Sequence, residues 1–342
     1  VITGEVRNLS IQGGGFGAFL TVQGRLRIFG TVTNSGGVFD ATAGTIEFSG
    51  NATQTIPAEL FSANTVQNLV ISSNVNLLGP LDLTGALSFG NVNSKTFATN
   101  DHLTLKSSET LTARVADITN NSVNSGNAIT GNVMVERFIP KHSSRRWRLV
   151  TAPVKGVSIN QAWQEGRTWN GNPYTETGQY GTLITGQAQG TAANANAKGF
   201  DFWTAIAGAG ASVRKYVGSS SVSSNIDAAF FPLDNTTTAS FTNHEAYLLF
   251  VRGDRTVSSG YTVGSTLLRP KGPLKQETAY AIPVSVSQSH TLIGNPYASP
   301  LNFQKLYADN SDKIQPWYWT WQASLGSGVG GYVLMLPNGE GG

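Results

Sequence analysis

The sequence predicts an all-β protein: a β-solenoid or β-helix-like stalk over residues 1–130, followed by a β-sandwich-type module over residues 131–342. Three observations carry this prediction. Short runs that alternate apolar and polar residues recur through the first third of the chain, and Gly, Asn or Asp turns separate them. No run there has helical spacing. Beyond about residue 133, Trp and Tyr become frequent and the turns lengthen, which suits a compact sandwich with long loops.

In chain order, the runs are 20–22, 26–28, 45–48, 69–71, 81–83, 87–89 and 103–105, with turn residues such as Gly30, Asn34, Gly50, Gly85 and Asn100 between them. Strict alternation sends every second side chain to one face, so each run reads as a strand with one buried side. Strands this short bury little alone. An irregular spacing of roughly 10 to 24 residues suits coils stacked on one another, each rung covering the next. The polar run 120–127 has no periodicity and marks the boundary. After it, 133–140 alternates as a strand and 147–150 reads as another. Two short helices are expected, at 159–165 and at 302–307 after Ser299-Pro300. The second half also repeats itself. Leu149-Val150-Thr151-Ala152-Pro153 echoes Leu292-Ile293-Gly294-Asn295-Pro296, and Gly171-Asn172-Pro173-Tyr174 recurs as Gly294-Asn295-Pro296-Tyr297. Asn before Pro is held out of the helical region, so these read as matched turns. The strand at 331–336, followed by a Pro-Asn-Gly turn, calls for a partner strand, and the chain is expected to be a segment of a longer polypeptide.

Composition narrows the function. At 342 residues, two domains are expected. Charged residues are only 13% of the chain, about half the usual share, so hydroxyls, amides and backbone must cover the surface, as in many extracellular β proteins. Hydrophobic residues at 39%, with 7 Trp, 10 Tyr and 16 Phe, supply a core and argue against disorder. The net charge of +3 is scattered apart from Arg145, Arg146 and Arg148, which is not the basic face of a nucleic-acid binder. There is no Cys to staple the fold, and no stretch approaches the roughly 20 apolar residues of a membrane helix.

The motifs from Gly131 onward carry a family resemblance. Gly131-Asn132-Val133, Val135-Glu136-Arg137-Phe138-Ile139, Arg146-Trp147-Arg148-Leu149-Val150-Thr151-Ala152-Pro153-Val154, Asn160-Gln161-Ala162-Trp163-Gln164 and Leu249-Phe250-Val251-Arg252-Gly253-Asp254-Arg255 follow in order. With residues 292–300, this segment resembles the long repeat-rich, adhesin-like surface proteins of Bacteroidota. The resemblance implies export by the type IX secretion system, hence contact with the export machinery of the outer membrane, and a location at the bacterial cell surface. It brings no catalytic residues with it.

The chemistry-bearing residues point the same way. His102, His142, His244 and His290 are far apart and none has metal-ligand spacing. There is no Gly-x-Ser-x-Gly elbow, and the glycine run at 13–17 lacks the Lys-Ser/Thr of a phosphate loop. The acids of the first part, Glu5, Asp40, Glu47, Glu59, Asp82, Asp101, Glu109 and Asp117, stand apart in sequence. No catalytic residue, metal or cofactor is therefore assigned. Arg252-Gly253-Asp254 reads as a strand-ending turn. Arg145, Arg146 and Arg148 around Trp147 read as a structural cation–π cluster or as an anionic-glycan contact. Trp317, Trp319 and Trp321 fall on one face by alternation and read as core or as a sugar-stacking platform.

The expected role is thus a non-catalytic, extracellular structural or adhesive one, as an adhesin segment or a fibre (filament) subunit. Its partners would be other copies or other surface proteins meeting unpaired β-edges, and not nucleic acid. The alternative is a glycan-binding module using Trp317, Trp319, Trp321, Arg146 and Trp147. A solenoid polysaccharide lyase or hydrolase is the third reading. It would need two carboxylates, or an Arg or Lys with a carboxylate, facing one groove.

Overall fold

The computed structural model describes residues 4–14, 17–120, 123–142, 146–168, 180–187, 190–202, 210–218, 226–241, 244–256, 264–276, 282, 290–326 and 330–336. Arg145 and the 171–174 turn lie outside them. The chain is all-β and opens with a β-solenoid of about 5 turns over residues 4–105. Two compact units divide it. One comprises Val1–Phe138 with Pro270–Thr278 and Tyr297–Ser299, and the other contains the remainder.

The solenoid has three faces of parallel strands. The first stacks Gly4–Val6, Arg25–Ile28, the end of Val38–Phe48, the end of Thr65–Ile71, Ala86–Phe89 and Arg114–Val115. The second pairs Leu9–Gln12 with Val32–Ser35, then stacks Gln54–Ile56, Val75–Leu77, Thr96–Ala98 and Ala128–Thr130. On the third, Phe19–Thr21 lies under Val38, Phe39 and Asp40, and Val66, Leu81–Leu83, Leu103–Leu105 and Asn132–Val135 follow above. Alternation works as the sequence implies. Ile28, Phe48 and Ile71 share one register row and are fully buried, as are Ala41, Val66, Leu83, Leu105 and Val135 on the third face. Apart from Ala41, each such side chain contributes about 1.5–3 kcal/mol by leaving water. Parallel pairing requires this rung geometry, because adjacent strands are joined by a full turn of coil.

Two local devices keep the coil closed. The strand Val38–Phe48 serves two faces and turns the corner between Ala41 and Thr45. Gly44 sits at that corner, where a Cβ would come within 2.4 Å of the Val22 carbonyl oxygen. Where the second face is interrupted between Val32–Ser35 and Gln54–Ile56, buried Gln54 substitutes for backbone pairing. Its Nε2 donates to the carbonyls of Ile28 and Gly30, and its Oε1 accepts from Gly50 N and Ser73 Oγ.

The polar run at 120–127 falls within the solenoid unit. Strands at Ala128–Thr130 and Asn132–Val135 continue two of the faces beyond it, so it is an insertion between rungs. The last rung is closed by a returning segment that sequence distance concealed. Lys271–Pro273 pairs antiparallel with Asn132–Val135, and the Gln276 side chain both donates to and accepts from the backbone of Ile129. The antiparallel direction of this edge strand breaks the parallel stacking of that face, and Pro273 removes one backbone donor from it.

The second unit contains a four-stranded antiparallel sheet in the order Arg146–Val150, Tyr247–Val251, Val213–Tyr216, Phe230–Pro232. A hairpin, Tyr318–Gln322 with Gly331–Met335, forms a separate two-stranded sheet that touches the strand Arg146–Val150 through Trp321. Among the described residues, the second large sheet that a sandwich requires is not assembled, so the expected sandwich is not found there. Helices occur at Ile159–Trp163 and Phe303–Ala308, each within about two residues of expectation. Ser158 and Gln161 form a reciprocal capping box on the first, and Asn302 caps the second. A third helix, Ala192–Ala197, is too short and too uniformly small to show an apolar period; its signal is the Thr191 cap. Trp163, Phe241 and Tyr247 form an edge-to-face core cluster with centroids 5.0–6.1 Å apart. No helix of the described residues is long and apolar enough to cross a membrane.

Candidate functional site

The outward side of the first solenoid face holds a groove of about 590 Å³. Strand register builds it. Glu5, Arg27, Glu47, Val70 and Ser88 occupy one outward row on successive rungs. Ser49, Ser72 and Gly90 extend the next outward row, each donating its backbone N–H to the rung below. Arg25, Ser49, Ser72, Ser88 and Phe89 are among the lining residues.

Glu47 organises the groove. Its side chain is only 3% exposed, while those of Arg25 and Arg27 are 48% and 36% exposed. Arg25 Nε and Arg27 Nε each donate to Oε2 at 2.8 Å, Arg25 Nη2 lies 2.7 Å from the same oxygen, and Ser72 Oγ donates to Oε1 at 2.7 Å. Arg27 also reaches Glu5 at 2.8 Å. Burial alone pushes the Glu47 carboxyl up, but the bonds from Arg27, Ser72 and Arg25 together hold it below the usual range. An ionised carboxylate with both oxygens occupied is a clamp for the two guanidinium groups and a poor proton donor. Its folded pKa lies below the unfolded value of about 4.3. The stability it contributes is therefore complete above that value and is lost as the pH falls through the folded one. Glu47→Gln should flatten the acid limb of the far-UV melting profile between about pH 2 and 6; equal acid slopes in both proteins would contradict this assignment.

A second ion-pair cluster links rungs of the third face. Lys106 Nζ lies 2.8 Å from Glu136 and 3.7 Å from Asp82, and Glu136 Oε2 accepts from Ser107 N at 3.1 Å. Burial pushes the Asp82 carboxyl up, Lys106 opposes this, and the charge of Glu136 adds to the rise. Both clusters join residues roughly one rung apart in sequence. Rung-by-rung alignment of Arg25, Arg27 and Glu47 was the signal for the groove, and isolated spacing hid it.

The residues singled out in the sequence are placed as follows. Trp317 and Trp319 are exposed at 38% and 42%. Trp321 is half-buried: its Nε1 donates to the Trp147 carbonyl at 2.7 Å, and its ring meets Tyr332 edge-on at 5.0 Å. Gly330 packs flat against that ring, where a Cβ would come within 2.1 Å. Three rings in a row by alternation are thus two open rings and one structural ring. Trp147 packs on Phe250 at 5.1 Å, and the cation over it is Arg214, 5.3 Å from the centroid. Arg146 and Arg148 alternate away from the Trp147 face. Arg148 Nη2 contacts His142 Nε2 at 2.6 Å, and Arg146 Nε is buried with no partner among the described residues. The 252–254 tripeptide is a turn. Arg252 is buried against the Phe250 ring, and Asp254 accepts from the Thr256 N–H and hydroxyl. Among the described residues, no three His, Cys, Asp or Glu side chains converge on a metal position.

Comparison with protein-family models, with curated proteins and with solved structures returns no match.

Proposed function

We propose that this protein is a non-catalytic, extracellular structural or adhesive component of a bacterial surface, with the solenoid groove as a binding face. The observation that carries this reading is the Glu47 clamp. The groove offers guanidinium and hydroxyl groups to a ligand, while its buried carboxylate is already bonded through both oxygens. Within the reading, adhesion is favoured over end-to-end fibre growth. The strand Lys271–Pro273 occupies the edge on which a further parallel rung would have to form. Location at the surface and type IX export belong to the proposal and rest on the sequence resemblance.

Electron microscopy of the purified chain, with size-exclusion scattering of the same sample, tests the assembly part. Monodisperse particles are expected, and ordered stacks growing through the capped rung would overturn it. Protease shaving of intact producing cells tests the location, and full protection in unpermeabilised cells would count against a surface role.

A further inference from the structure

We propose that the groove on the first solenoid face binds a linear acidic glycan, with a carboxylate held by Arg25 and Arg27 and sugar hydroxyls held by Ser49, Ser72 and Ser88. This rests on the binding role proposed above and gives it a ligand class.

Five observations converge on that chemistry. The charges lining the groove are two guanidinium groups and one carboxylate, and the carboxylate lies beneath the cations at 3% exposure. The groove therefore presents guanidinium donors over a buried carboxylate, with exposed Glu5, bonded to Arg27, as the one other charge at its lower edge. Arg25 spends Nε and Nη2 on Glu47, and Arg27 spends Nε on Glu47 and Nη1 on Glu5. Arg25 Nη1 and Arg27 Nη2 have no acceptor among the described residues. A guanidinium edge is the side-chain group best matched to a carboxylate.

The clamp also fixes both arginines before any ligand arrives, so little rotamer freedom is lost on binding. Ser49 and Ser72 then repeat at the rung spacing of about 4.8 Å, with Ser88 on the neighbouring row one rung on. A repeating polymer with hydroxyls along its length can meet such a ladder. Val70, on the outward row between Glu47 and Ser88, supplies apolar surface for the C–H face of a sugar ring. Two cations on one face do not make the basic stripe that nucleic acid requires.

The test uses the full chain, with polygalacturonate as probe in affinity electrophoresis and calorimetry. Carboxyl-reduced polygalacturonate and polyglutamate serve as comparison polymers. Polygalacturonate should be retained, more weakly as salt rises, and the other two should not. Arg25→Gln should weaken retention about tenfold or more. Because Arg25 also supports Glu47, Ser88→Glu is the second variant. It adds a like charge at the groove without touching the clamp, and should weaken binding similarly at unchanged melting temperature. Equal retention of the carboxyl-reduced polymer, tighter retention of polyglutamate, or no effect of either variant would overturn the proposal. So would failure of polygalacturonate to bind, an outcome that leaves the surface role to be judged by shaving and particle imaging.

Discussion

Asp201→Ala is expected to lower the stability of the second unit by about 3–5 kcal/mol, because it breaks a bidentate ion pair that is fully buried. The Asp201 and Arg255 side chains are both fully buried. Arg255 Nη2 donates to Asp201 Oδ1 at 3.0 Å and Nη1 to Oδ2 at 3.1 Å. Oδ2 also accepts from Gln164 Nε2 and from Ile184 N, at 3.1 and 2.7 Å. Removing the carboxylate takes from Arg255 the acceptor of its two charge-assisted bonds, keeps only its weaker bonds to carbonyls such as those of Thr182 and Arg167, and leaves Gln164 Nε2 and Ile184 N without this acceptor, and these losses carry a desolvation cost. The expected loss is a large fraction of a typical domain's total stability. Urea unfolding followed by tryptophan fluorescence reads this unit selectively, because all 7 Trp lie between residues 147 and 321. The paired change Asp201→Leu with Arg255→Met should recover much of the loss, since a buried ion pair is often replaceable by packed apolar groups. An unchanged midpoint for Asp201→Ala would contradict the pairing.

Phe48→Ala is expected to cost about 3–5 kcal/mol in the solenoid. Phe48 is fully buried and stacks in register between Ile28 on the rung below and Ile71 on the rung above. Rungs contact only their neighbours, so the cavity should loosen those flanking rungs first. Far-UV circular dichroism is the appropriate probe, since residues 1–138 contain no Trp or Tyr. Hydrogen exchange should locate the lost protection at Arg25–Ile28 and Thr65–Ile71. Val70→Ala, on the outward side of the same face, should stay within about 0.5 kcal/mol. Equal effects of the two changes would mean that the inward and outward sides had been misassigned.

The solenoid was legible because each rung repeats one local rule. Leu26 and Ile28 alternate with Arg25 and Arg27, and Ile46 and Phe48 with Thr45 and Glu47, so strand, face and burial all follow from neighbours in sequence. The helices at Ile159–Trp163 and Phe303–Ala308 were legible for a similar reason, since their caps are local hydrogen bonds. The second unit was less readable. Its four-stranded sheet places Val213–Tyr216 between Tyr247–Val251 and Phe230–Pro232, an order that no local pattern encodes.

The sequence by itself determined the all-β class, the inward and outward sides of the rungs, and the absence of a familiar catalytic motif. Each is a property of period, composition or spacing within a few residues. Only the tertiary structure decided which residues meet. Register, a long-range quantity, brought Arg25 and Arg27 onto Glu47 about one rung away and Arg214 onto Trp147. It also brought Lys271–Pro273 back onto the last rung and turned Trp321 from its neighbours toward the Trp147 carbonyl. Coil length sets which side chains stack, and coil length varies freely in the turns, so the groove could not be read from alternation alone.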